Sequence, residues 1–187
     1  MLIYENELMT QVFEGDNYLL NTDIPESYLR LQIEAKDFAG AIRTKKKFIE
    51  YLRNEGTTDH QIRRSWLEVI CLQILMEDFY RLEDSLQSFA NEPGHGNMYG
   101  QDEFTAANDL KDAISAKDFP KMTQILKQPI FGYIEIEIVK RIKKFAANPP
   151  DHIKQMAALK EGTGGDPTGS GSAAPQTKEQ VLDSVLL

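Results

Sequence analysis

The chain has 187 residues, of which 41% are hydrophobic and 27% charged, and a formal net charge of −8. That length supports one ordinary domain with its own core, and the apolar fraction excludes a disordered, collagen-like or disulfide-dense chain. The acidic balance argues against a general binder of the phosphate backbone, which needs a basic surface, so no nucleic-acid partner is expected.

Cys71 is the single cysteine. It has no internal partner for a disulfide, which points to a reducing compartment. No apolar run approaches the roughly 20 residues of a membrane-spanning helix. The opening carries Glu5 and Glu7 and no basic residue before Arg30, unlike a signal peptide. The expectation is a soluble cytoplasmic protein, with peripheral membrane association left open.

In chain order, residues 1–23 form an acidic segment, expected to be partly helical, with Glu5, Glu7, Glu14, Asp16 and Asp23 and no Lys or Arg. A helical-repeat body is expected over residues 24–160. Its signature is a phrase met three times: Ala35-Lys36-Asp37-Phe38, Met76-Glu77-Asp78-Phe79 and Ala116-Lys117-Asp118-Phe119. Each copy closes one apolar run of helical spacing and opens another. A period of about 40 residues built from helix pairs marks stacked α-helical hairpins, because one hairpin cannot bury its apolar face alone.

In the first copy Pro25 suits a first helical turn, and Tyr28, Leu29 and Ile33 share a face. Asp37 is placed to cap the helix opening at Phe38, whose stripe runs through Ala41, Ile42, Phe48, Ile49 and Leu52. The aromatic-x-x-Ala spacing of Phe38 and Ala41 matches the second helix of a tetratricopeptide unit. The second copy starts at Thr58 or Asp59 and runs through Ile62, Trp66, Val69, Ile70 and Ile74, then Phe79, Leu82, Leu86 and Phe89. The third pairs Phe104, Ala107, Leu110 and Ile114 with Phe119, Met122, Ile125 and Leu126.

Between the second and third copies, residues 92–100 hold Pro93 and three glycines, a loop without phosphate-loop spacing. Residues 134–138 alternate like a strand, but Ile134, Ile138, Ile142 and Phe145 fall on one helical face, and helix is the preferred reading. Asn148-Pro149-Pro150 ends it, and Asp151 caps a short segment with Ile153. Residues 161–176 read as a flexible Gly/Ser linker. Residues 177–187 form a short amphipathic tail with a capping box, Thr177-Lys178-Glu179-Gln180, ahead of Val181, Leu182, Val185, Leu186 and Leu187. The tail binds a partner, folds back on the body, or frays; the sequence leaves these open.

Chemistry-bearing groups are few. His60, His95 and His152 are scattered and show no metal spacing, and Cys71 lies between Ile70 and Leu72 as a buried thiol would. Glu77-Asp78, Glu83-Asp84 and Asp102-Glu103 are read as solvated acids. No catalytic, cofactor or metal site and no small-molecule substrate is expected. Two basic clusters stand out: Arg43, Lys45, Lys46 and Lys47 with Arg53, which Arg63 and Arg64 join, and Lys140, Arg141, Lys143 and Lys144. An acidic protein partner fits them better than nucleic acid, since exposed aromatics are not interleaved.

These residues support a family resemblance. The degenerate 40-residue period, the stretch from Gly100-Gln101-Asp102-Glu103 through Leu110 to Asp118, and the phrase Gln128-Pro129-Ile130-Phe131-Gly132-Tyr133 are its carriers. Over residues 25–145 the chain resembles the C-terminal part of the soluble N-ethylmaleimide-sensitive factor attachment proteins, gamma type. The resemblance implies an all-α solenoid of tetratricopeptide-like hairpins working in vesicle-mediated transport. Such adaptors clasp the SNARE complex through basic residues and recruit the hexameric disassembly ATPase. Carried onto this sequence, Arg43, Lys45, Lys46, Lys47, Arg63 and Arg64 become the SNARE-facing patch. Asp109, Asp112, Asp118, Asp183, Leu186 and Leu187 become the ATPase-facing residues. Two other classes stay in play: a tetratricopeptide-type scaffold of another assembly, and a hydrolase using the acidic pairs and His95.

Overall fold

A computed structural model describes residues 23–56, 59–93 and 100–153. The acidic segment up to residue 22 and the linker and tail expected over residues 161–187 lie outside these residues. The described part is all-α, with helices α1 (Asp23–Glu34), α2 (Phe38–Asn54), α3 (Asp59–Met76), α4 (Phe79–Ala90), α5 (Asp102–Ala116), α6 (Phe119–Ile125) and α7 (Ile136–Ala147), and a 3₁₀ turn at Pro129–Gly132. The alternating stretch at residues 134–138 is not a strand; its second half opens α7.

The repeated phrase is a repeated turn. Lys36, Glu77 and Lys117 sit at φ 61°, 60° and 59°, a left-handed conformation that costs a non-glycine residue about 1 kcal/mol. Hydrogen bonds offset that cost in the same way each time. The N–H of Lys36 donates to the carbonyl of Ile33, Glu77 to Ile74 and Lys117 to Ile114. The next N–H, of Asp37, Asp78 or Asp118, reaches back to the carbonyl of Gln32, Gln73 or Ala113. This is the Schellman pattern, which satisfies the last carbonyls of the closing helix. The aspartate then caps the next helix: its carboxylate accepts from the N–H of Gly40 at 2.8 Å, Arg81 at 3.2 Å and Lys121 at 2.8 Å.

The period extends into the packing. Leu29, Ile70 and Leu110 are buried at corresponding points, as are Ile33, Ile74 and Ile114, and Ala41, Leu82 and Met122. Even a buried polar pair recurs. Thr44 Oγ1 donates to Gln32 Oε1 at 2.9 Å, and in the second copy Gln73 Nε2 donates to Ser85 Oγ at 2.8 Å. In the third copy Ala113 and Ile125, both buried, occupy those places, so apolar side chains replace the polar pair. A close approach falls at Gly40, the residue before Ala41, the small residue that the sequence singles out. A Cβ on Gly40 would lie 2.1 Å from Asp37 Oδ2 and 2.8 Å from Gln32 Nε2.

Assembly of the hairpins differs from an open row. Helix α3 is buried at Ile62 and continuously from Ser65 to Ile74, and a helix apolar nearly all round needs cover on every side. It packs against α2, α4, α5 and α7, and α1 packs against both α2 and α7. In an open stack each hairpin touches only its neighbours; here the last described helix returns to the first hairpin. Rings join the layers, with Trp66 stacked on Phe89 at 6.1 Å and Phe89 edge-on to Phe104 at 5.2 Å.

Candidate functional site

The first basic cluster divides by helical geometry. Lys45 falls on the stripe of Ala41, Ile49 and Leu52, and α2 buries all four. Its ammonium pairs with the Glu68 carboxylate of α3 and lies 5.2 Å from the centre of the Phe48 ring. Glu68 also accepts the N–H of Glu135 at 2.7 Å, and Arg30 reaches the Glu135 carboxylate at 3.4 Å. Lys45 is therefore part of the clamp that holds the start of α7, not of an exposed patch. The spacing of four to Ala41 and Ile49 was the available signal.

Arg63 and Arg64 are also engaged inside the fold. Arg63 Nε donates to Glu103 Oε2 at 3.1 Å, and His60 Nδ1 lies 2.7 Å from Glu103 Oε1. The guanidinium of Arg64 stacks over the Tyr133 ring at 4.7 Å. Glu103 is buried, contrary to the reading of Asp102-Glu103 as solvated acids. What remains of the patch in water is Arg43, Lys46 and Lys47.

Lys46 borders a polar cleft of about 630 Å³ between α2 and α4. Its floor holds Glu92, a residue the sequence consigns to the loop. The Glu92 carboxylate is buried and accepts from Arg53 Nε at 2.8 Å, Arg53 Nη2 at 2.6 Å and Trp66 Nε1 at 2.6 Å. With these donors on its two oxygens it acts as an anchor that fixes the end of α4, through charge-assisted bonds.

Among the acidic candidates, Asp109 is half-buried and Asp112 exposed, three residues apart on α5. Asp112 lies 3.2 Å from Lys111, which Glu83 approaches at 3.6 Å. The Asp112 hydrogen bond leads in raising the Lys111 pKa. Asp118 is the cap of α6. Asp183, Leu186 and Leu187 lie outside the described residues, as does His95. Burial, assisted by the nearby Glu68 charge, pushes the Cys71 thiol far up, as expected of an inert core cysteine. Asp78 is a cap and Glu77 meets His152 Nε2 at 2.5 Å. Among the described residues no group of three His, Cys, Asp or Glu is placed to hold a metal ion.

Two residues of the second basic cluster, Lys140 and Lys143, border a second groove, of about 480 Å³, between the α6–α7 connection and α7, which the sequence alone does not locate. Phe131, Ile134 and Val139 are buried along it, while Ile136 is 59% exposed. Lys127, Lys140 and Lys143 stand at its edge. The signal was Ile136, Val139, Lys140 and Lys143 at helical spacing, an apolar stripe bordered by positive charge.

The described residues thus form a body of repeated helical hairpins with exposed basic residues beside the two grooves above. Comparison with known protein families, characterised proteins and solved structures finds no match. No described helix is long and apolar enough to cross a membrane.

Proposed function

We propose that the chain is a non-enzymatic adaptor built from tetratricopeptide-like hairpins, which binds SNARE complexes in vesicle-mediated transport and recruits their disassembly ATPase. The observation that carries the adaptor class is the threefold recurrence of one turn, with its cap, its buried positions and the Gln32–Thr44 and Gln73–Ser85 pair. Repeated hairpins make scaffolds whose surfaces hold other proteins. The finer role rests on the resemblance over residues 25–145, with the patch reduced to Arg43, Lys46 and Lys47. Opposite charge on a SNARE bundle steers association and weakens with salt.

The test is capture of immobilised SNARE complexes by the full chain. Charge reversal at Arg43, Lys46 and Lys47 lowers affinity by about tenfold at low ionic strength, at roughly 0.5 kcal/mol per exposed contact, and the gap narrows at high salt. Undiminished capture at low salt removes the SNARE assignment. A second reading, a scaffold in another assembly, is favoured by one observation: α7 lies against α1 and α3. That packing changes the helical surface available to a partner. Recovery of a different assembly in a pull-down from lysate supports this second reading.

A further inference from the structure

Independently of the adaptor reading, we infer that the groove between the α6–α7 connection and α7 is the docking site of the chain's own segment 177–187. The groove has an apolar wall of Phe131, Ile134 and Val139, an uncovered Ile136, and a lysine edge. Lys140 is shared with Glu137 at 2.6 Å, whereas Lys127 and Lys143 make no ion pair with a described residue. The fitting occupant is a short segment with clustered aliphatic side chains and acids on one flank. An aliphatic occupant covers Ile136, and its acids meet the lysines.

The sequence contains such a segment. Val181, Leu182, Val185 and Leu186 recur at helical spacing, with Glu179 and Asp183 four residues apart beside them. Lys140 and Lys143, three apart on α7, are spaced as a pair of acids four apart would be on a helix, roughly 5–6 Å. Residues 177–187 carry Lys178 as their one cation, so the match is acid on base.

Reach also fits. His152 meets Glu77, and Glu135 meets Glu68 farther back on the same helix, so the described chain ends beyond the C-terminal end of α7. The groove borders the first two turns of α7, from Ile136 through Val139 and Lys140 to Lys143. A 12-residue helix is about 18 Å long. A Gly/Ser-rich coil the length of the linker expected over residues 161–176 spans about 22 Å on average. A tether whose mean span is close to the distance to be bridged gives near-maximal effective concentration, in the millimolar range.

The experiment is zero-length carbodiimide coupling of the full chain, prepared as an equal mixture of ¹⁴N and ¹⁵N protein and mapped by mass spectrometry. Coupling within one chain of Lys127, Lys140 or Lys143 to Glu179 or Asp183 is the expected result. The Leu182→Asp/Val185→Asp variant reduces that yield at least tenfold with unchanged far-ultraviolet circular dichroism. Three outcomes overturn the inference. Mixed-isotope pairs make the occupant a second copy's segment. Coupling of Glu179 or Asp183 to Lys46 or Lys47 moves the docking elsewhere. A yield that is negligible, or insensitive to Leu182→Asp/Val185→Asp, leaves the groove to an external partner.

Discussion

Replacing Lys45 with Met separates a surface lysine from a structural one. The Lys45 side chain is 11% exposed and its partner Glu68 is 6% exposed, so the pair is nearly withdrawn from water. Methionine preserves most of the stem that lies along Phe48 but removes the ammonium. Glu68 is then left as a buried carboxylate whose remaining described hydrogen bond comes from the Glu135 N–H. Removing one member of a buried pair costs about 3–5 kcal/mol, and the retained bond places this case near 3 kcal/mol. In a domain of this size that lowers Tm by about 6–12 °C.

Urea unfolding followed at 222 nm measures the change, with the m-value checking that the native state is still compact. Adding Glu68→Gln to Lys45→Met removes the stranded charge while an amide oxygen still accepts the Glu135 N–H. About 2 kcal/mol should return. A loss from Lys45→Met below about 0.5 kcal/mol, the range of an exposed pair, would refute the reasoning and restore Lys45 to the surface patch. A double variant no more stable than the single one would refute the role given to Glu68.

Two further predictions concern the core. Because burial raises the Cys71 pKa, the native state keeps the proton that the unfolded chain releases above about pH 8.5. Stability from this group is full below that pH and is lost as pH rises toward the native value, by about 1.4 kcal/mol per pH unit. Cys71→Ala is less stable at neutral pH but shows a flatter decline between pH 9 and 10.5 in denaturant titrations; parallel curves would contradict it. At Gly40, Ala displaces the Asp37 cap and presses on Gln32, costing about 1–3 kcal/mol. Gly132→Ala, with nothing within 4 Å of the added methyl, stays within about 0.5 kcal/mol. Equal thermal shifts for the two would remove the close-approach argument.

The turns were legible because everything that makes them is local. A Schellman end and an aspartate cap draw on residues within about six positions, so the same phrase builds the same turn wherever it occurs. The apolar stripes were legible for the same reason, since helical spacing alone sets which side chains share a face. Pairings across the fold were not. Lys45 reads as one of three adjacent lysines, and only the position of Glu68 on a neighbouring helix turns it inward. Glu103 beside Asp102 looks solvated until Arg63 and His60 arrive from α3. Glu92 sits among loop residues in the sequence, yet Arg53 and Trp66 bury it. The return of α7 to α1 and α3 has no local signature, because its polar clamp spans residues as distant as Arg30 and Glu135.

That return sets a schedule for the growing polypeptide. During synthesis the hairpin turns can close as soon as each leaves the ribosome, but α3 remains open along one flank until residues beyond Ile136 have emerged. Through that interval apolar surface near Glu68 is uncovered, the condition under which nascent chains engage chaperones or misassemble. Completion is therefore late, with contacts such as Arg30 to Glu135, separated by 105 residues, forming after most of the described helices exist.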